Sequence, residues 1–221
     1  MEVNEHGLVY NNRKYSIEEY YAFEDASIDK HEYYNGVIRD MDGNIVTDEE
    51  VESARSSGID KSGNNLQHII VTGNLLIELH RKFDDTDCIA CNRDLRIYVE
   101  KYSFTTCPDI SVFCGDAISL NNDDRNYLNP IIIFEVVSST TRDYDKGTKF
   151  DMYRAIPTLK EYVLIEPESV QIEAWHINGD GFWDMRSYKN IGCSLVLDSI
   201  KVSVPLKDIY KRTKLINLKS R

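Results

Sequence analysis

Glu135 stands inside Asn129-Pro-Ile-Ile-Ile-Phe-Glu-Val-Val, a run otherwise apolar enough for a strand buried on both faces. A carboxylate is costly to bury there unless it is paired or holds a metal. Upstream, Pro108 ends the preceding structure and sets Asp109 at the first position of another strand, Asp109-Ile-Ser-Val-Phe. The 26 residues from 109 to 135 suffice for one strand, one loop and a return along a neighbour. Strands ~4.8 Å apart would let both carboxylates share a divalent cation, Mg²⁺ or Mn²⁺. Beyond Glu135, Asp145, Lys149 and Tyr153 are spaced i, i+4, i+8 and share one helical face. Lys149 then points toward the acids if the helix folds back over the sheet. Two carboxylates and a lysine are the parts of metal-assisted phosphodiester hydrolysis: the cation polarises a phosphate oxygen and acidifies bound water, while lysine offsets developing negative charge.

The order Pro108-Asp109, then Glu135-Val136-x-Ser138-x-x-Thr141-x-x-x-Asp145-x-x-x-Lys149-Phe150-x-x-Tyr153, then Pro157-x-Leu159-x-Glu161-Tyr162, resembles the Uma2 family (DUF820) of restriction-endonuclease-like proteins, in the PD-(D/E)xK nuclease superfamily. His31-Glu32-Tyr33 with Gly36, His68 with Gly73-Asn74-Leu75, and Asp94-Leu95-Arg96 extend the likeness over roughly Ser16 to Tyr210. The resemblance implies an α+β restriction-endonuclease-like core, a mixed β-sheet flanked by helices with additional β-hairpins. It also implies Asp109 and Glu135 as metal ligands and DNA as substrate. The superfamily's simplest pattern places lysine two residues after the acid, where this chain has Val137. Lys149 on the following helix is the matching position, and Lys146 competes with it. His68 and Asp94 are secondary site candidates. Each also has a plainer reading, His68 as a helix-terminus histidine and Asp94 as a strand salt-bridge partner of Arg96; Glu32 is weaker still. The alternative function is a silent nuclease-fold protein that binds nucleic acid or a protein partner. Two-carboxylate glycoside hydrolysis leaves the lysine helix unexplained. Cutting both strands of a duplex needs two sites, which makes a homodimer an expectation from function.

Ser16 and Glu19 form a capping box that opens a helix through about Phe23. Asn35-Gly36 lies between two β-prone runs and signals a hairpin. The stretch from Asp40 to Gly63 is acidic, has few apolar anchors, and reads as a solvated insertion over about 42–63. Leu66, Ile69/Ile70, Gly73, Leu76/Ile77, His80 and Phe83 recur every three to four residues, predicting a helix from about Asn65 to Lys82. Strands follow at 88–92, 95–99, 109–114 and 131–137, with a polar loop before the last. A helix over 142–155, a hairpin of EYVLIEP and VQIEAWHI, a further hairpin over 182–188, one strand near 194–204 and a short helix after Pro205 complete the pattern. One α+β domain over 1–221 is the economical reading, with a basic tail at about 211–221.

The formal net charge of −11, from 26 basic and 37 acidic residues, argues against a broad nucleic-acid-coating face. It leaves room for a local basic cleft, or for an anionic substrate met through a cation. Nothing approaches the ~18 apolar residues of a membrane span, and the acidic, polar start lacks a signal-peptide pattern; the expectation is a cytoplasmic protein without membrane contact. Five cysteines, an odd number, read as free thiols, and the Cys88-x-x-Cys91 pair has no partner set for zinc.

Overall fold

A computed structural model describes residues 13–27, 30–41, 43–54, 66–137 and 142–216. Ser16 caps helix α1 (Ile17–Ala26), accepting from the Glu19 backbone while the Glu19 side chain accepts from the Ser16 backbone. Strands β1 (His31–Tyr34) and β2 (Val37–Asp40) form the expected hairpin. Asn35 and Gly36 both take positive φ, 46° and 88°, as a two-residue turn matching the right-handed strand twist requires.

The acidic stretch, expected to be a solvated insertion with few apolar anchors, is only partly solvated where it is described. Residues 48–54 form helix α2 (Asp48–Ala54). Val46 and Val51 are buried in a cluster with Tyr15, Tyr20, Phe23, Tyr33 and Ile38, so two valines anchor the acidic surface to α1 and the hairpin. Residues 55–63 of the predicted insertion lie outside the described residues.

Helix α3 (Leu66–Phe83) forms where the spacing predicts it, but the buried face is Val71, Leu75, Leu79 and Phe83; of the residues that defined the expected stripe only Phe83 is among these, and Leu66, Ile69 and Ile77 are exposed. Strands β3 (Cys88–Asn92), β4 (Arg96–Val99), β5 (Phe104–Thr106), β6 (Ile110–Cys114), β7 (Asn126–Tyr127) and β8 (Ile132–Val136) follow. A helical segment then runs from α4 (Arg142–Tyr144) through a π-helical turn (Asp145–Lys149) into α5 (Phe150–Tyr153). Strands β9 (Glu161–Glu166), β10 (Gln171–Ile177) and β11 (Trp183–Tyr188) close the main sheet. Residues 182–188 do not make a hairpin of their own: β11 is a single strand paired antiparallel to β10. The stretch near 194–204 is likewise not one strand but two, β12 (Ser194–Leu197) and β13 (Val202–Pro205), with Lys201 at φ 54° reversing the chain. Helix α6 (Leu206–Ile209) follows.

The main sheet has the order β11-β10-β9-β8-β6-β3, and a second sheet the order β2-β1-β5-β4-β7. The main sheet is mixed, because β8 and β9 are parallel while its other pairs are antiparallel. One face packs Ile110, Val112, Ile132, Phe134 and Val136 against α3, α6 and the β12–β13 ribbon. The other packs Phe113, Ile133, Tyr162 and Leu164 against α5 and the strands carrying Ile97, Val99 and Phe104. With apolar matter on both faces, β8 is buried throughout, and Glu135 shares the second face with Ile133. The free-thiol expectation is corrected for one pair. Cys88 and Cys114 face each other across β3 and β6 and are joined as a disulfide; Cys91, Cys107 and Cys193 are free.

Candidate active site

The strand registers place the two acids side by side. Ile110 on β6 pairs with Phe134 on β8, and one step further along that antiparallel register Asp109 meets Glu135 on the opposite face. Asp109 is 7% exposed and Glu135 4%. Asp109 Oδ2 accepts from the backbone N–H of Val136 at 2.8 Å and lies 3.2 Å from His68 Nε2, in the first turn of α3. Burial pushes the Asp109 carboxyl up, but the His68 bond and charge, the Val136 N–H and the Arg93 charge outweigh it, leaving its pKa below the ordinary value. Asp109 is thus an anion that accepts from His68.

Lys149 is brought to the same place by the π-helical turn, which sets Lys149 and Asp145 on one face. Such turns often occur where a helix must aim functional side chains. The Lys149 ammonium, 3% exposed, lies 2.8 Å from Glu32 Oε1, 3.0 Å from Glu135 Oε1 and 3.4 Å from Asp145 Oδ1. Burial lowers its pKa, but Glu135, Glu32 and the other anionic neighbours raise it well above the ordinary value. Lys149 is therefore an ammonium and not a general base. Burial raises Glu135, Lys149 opposes this, and Asp145 and Asp109 add to it; the carboxyl is pushed up to about 8. Three carboxylates around one ammonium leave excess negative charge, and a shared proton or a cation relieves it.

The donor set suits a hard divalent cation. Glu135 Oε1 is taken by Lys149 and by the Tyr153 hydroxyl at 2.9 Å. Among the described residues, Glu135 Oε2 and Asp109 Oδ1 receive no hydrogen bond, so each acid keeps one oxygen for an oxygen-seeking ion.

Of the residues singled out from sequence, Asp109, Glu135, Lys149 and His68 are brought together. Lys146 points elsewhere, to Glu173 at 2.7 Å and the Trp175 ring. Asp94 is largely exposed and pairs with Lys30 at 3.7 Å, not with Arg96. Sequence reasoning undervalued Glu32, which accepts from Thr106 (2.7 Å), Tyr144 (2.9 Å) and Lys149. Its signal was membership of His31-Glu32-Tyr33; nothing local in Thr106 or Tyr144 marked them.

The mixed sheet, flanking helices and buried acidic cluster at the strand ends define an α+β protein of the restriction-endonuclease-like class. Residues 59–205 match the Uma2 family, described as "Putative restriction endonuclease", and the chain belongs to that family. "Uncharacterized protein slr1290" of Synechocystis sp. is 31% identical over 195 residues, 85% of this chain and 91% of the relative. "Uncharacterized protein sll1609" of the same organism is 30% identical over 122 residues, 55% and 69% of the two chains. The fold is similar to that of a crystal structure described as "a putative nuclease belonging to DUF820" from Anabaena variabilis. The TM-score is 0.57 with 15% identity, covering 81% of this chain and 89% of that one.

Proposed function

We propose that the chain is a divalent-cation-dependent endonuclease that hydrolyses phosphodiester bonds in DNA. The observation that carries this reading is the pair Asp109 and Glu135, side by side at two strand ends, each with an oxygen that no described residue occupies. These two residues would hold Mg²⁺ or Mn²⁺, which when bound supplies Lewis acidity and a more acidic water. Lys149 holds positive charge against Glu135 and lowers the cost of charge build-up on the phosphate. Tyr153 fixes the Glu135 carboxylate by its hydroxyl bond. His68 donates to Asp109 and holds that carboxylate in its ionised form.

The test incubates purified protein with supercoiled plasmid and linear DNA in Mg²⁺ or Mn²⁺. Nicking is expected from wild type, and a fall of about 100-fold or more from Asp109→Ala or Glu135→Ala, the scale on which losing a charge-stabilising group acts. Equal cleavage by Asp109→Ala would remove the case for this site. A second reading, a silent nuclease-fold binder, is favoured by the three carboxylates that engage the Lys149 ammonium and by Val137 at the simpler lysine position. Cation-dependent DNA binding without cleavage by wild type would select it.

A further inference from the structure

The β3, β6 and β8 registers bring a third charged residue to the strand ends that carry the two acids. Asn92 on β3 pairs with Ile110 on β6, as Ile110 does with Phe134 on β8. β3 ends at Asn92, and Arg93 follows in the turn closed by the Leu95 N–H to the Asn92 carbonyl, next to the end of β6 that Asp109 precedes. Arg93 therefore leaves β3 at the same end of the sheet where Asp109 enters β6 and Glu135 nears the end of β8. The other cations near these strand ends are engaged: Lys149 by three carboxylates, His68 by Asp109, Arg142 by Glu166 and Lys146 by Glu173. Arg93 differs. Its Nε is closed off from solvent yet has no hydrogen-bond partner, and among the described residues it makes no ion pair. A guanidinium presents planar, paired donors that match phosphate oxygens, and it stays charged at every working pH.

We infer that Arg93 contacts the phosphate of the substrate, its guanidinium gripping a non-bridging oxygen beside the Asp109–Glu135 pair. The inference rests on the nuclease reading and names the group that binds the scissile phosphodiester from the β3 side. The Arg93 charge is already felt at Asp109, where it favours the carboxylate, so one residue would oppose a metal mildly and hold an anion directly.

Thymidine 3′,5′-bisphosphate in Ca²⁺, which supplies phosphate groups without a bond to cut, serves as the probe, followed by calorimetry on the full chain. Mn²⁺ binding alone and plasmid cleavage are measured beside it, on wild type, Arg93→Gln and Arg93→Lys. Arg93→Gln is expected to weaken the bisphosphate by about 10- to 100-fold, the worth of a charged hydrogen bond, and to raise KM for plasmid more than it lowers kcat. Mn²⁺ affinity should stay the same or tighten, since a positive neighbour is gone. Arg93→Lys should recover part of the loss. Bisphosphate binding unchanged in Arg93→Gln, with wild type binding and cutting, overturns the inference and leaves the nuclease reading intact. Loss of Mn²⁺ affinity in Arg93→Gln overturns it in favour of a role in holding Asp109. Wild type that neither binds the bisphosphate nor cuts plasmid overturns the nuclease reading and this inference with it.

Discussion

Lys149 relieves the mutual repulsion of Glu32, Glu135 and Asp145, so Lys149→Met removes the charge while roughly keeping the volume. Stranding buried carboxylates in this way is expected to cost about 3–5 kcal/mol, read as a lower denaturant midpoint. Mn²⁺ should recover more stability in this variant than in wild type, because the cation becomes the only positive charge between the acids; equal gains would show that the ion binds elsewhere. Glu135 carries a second expectation. Its folded pKa of about 8 lies above the ordinary carboxylate value, so the folded protein holds a proton that the unfolded chain releases. This contribution to stability is full below about pH 4.5 and is lost as pH rises through about 8. On the proposed reading of Glu135 as a metal ligand, the same proton would compete with the ion, so Mn²⁺ affinity should rise about tenfold per pH unit between pH 6 and 8 and then level off, as calorimetry would measure. A flat profile would mean that Glu135 is not a ligand. Asp109 and Glu135 were legible in the sequence because a carboxylate in an apolar run, or just after a strand-opening proline, is a local anomaly. Glu32 was visible only as a weak candidate, since the pairing of β1 with β5 that brings it toward Thr106 joins strands distant in sequence, and nothing local marked Arg93.

At the scale of the elements, β3 is an edge strand held on one side by β6 and joined to it by Cys88 and Cys114, 26 residues apart. A cross-link closing a loop of that length contributes about 3–4 kcal/mol in the chain-entropy view. Reductant is expected to lower the thermal midpoint of wild type and to leave Cys88→Ser/Cys114→Ser unaffected. Insensitivity of wild type would show that the bond adds nothing to the fold. In the reduced protein, Cys193, which is exposed, should react first with a thiol reagent. Cys107, buried and pushed up to about 12 chiefly by desolvation, should stay inert until unfolding. Mass spectrometry of labelled peptides distinguishes them. Elements with a short-range cause were readable in advance: the capped start of α1, the Asn35-Gly36 hairpin and the extent of α3, though not its buried face, which runs through Val71, Leu75 and Leu79 rather than along the stripe that the sequence suggested. The disulfide was not, because the register that opposes Cys88 to Cys114 is set by the whole sheet. Nor was the π-helical turn at 145–149, from which Lys149 reaches Glu32, Glu135 and Asp145.

Across the whole molecule, the charge of −11 sets how a polyanion could be bound. A protein that grips duplex DNA through six to ten cationic contacts shows a steep loss of affinity with salt, its logarithmic slope near −0.9 per contact. Around this site most cations are paired internally, with Lys149, Lys146, Arg142 and His68 each facing a carboxylate. On the proposed nuclease reading, few counterions would then be released when a phosphate backbone arrives, and a divalent cation held by the acids would supply much of the attraction. The expected slope in Ca²⁺ is shallow, on the order of −1 to −3, and binding should fall sharply when EDTA replaces Ca²⁺. Fluorescence anisotropy of labelled duplex from 50 to 200 mM KCl measures both quantities. A steep slope that persists in EDTA would locate a cationic binding face elsewhere on the molecule, and would make Asp109 and Glu135 incidental to how DNA is held.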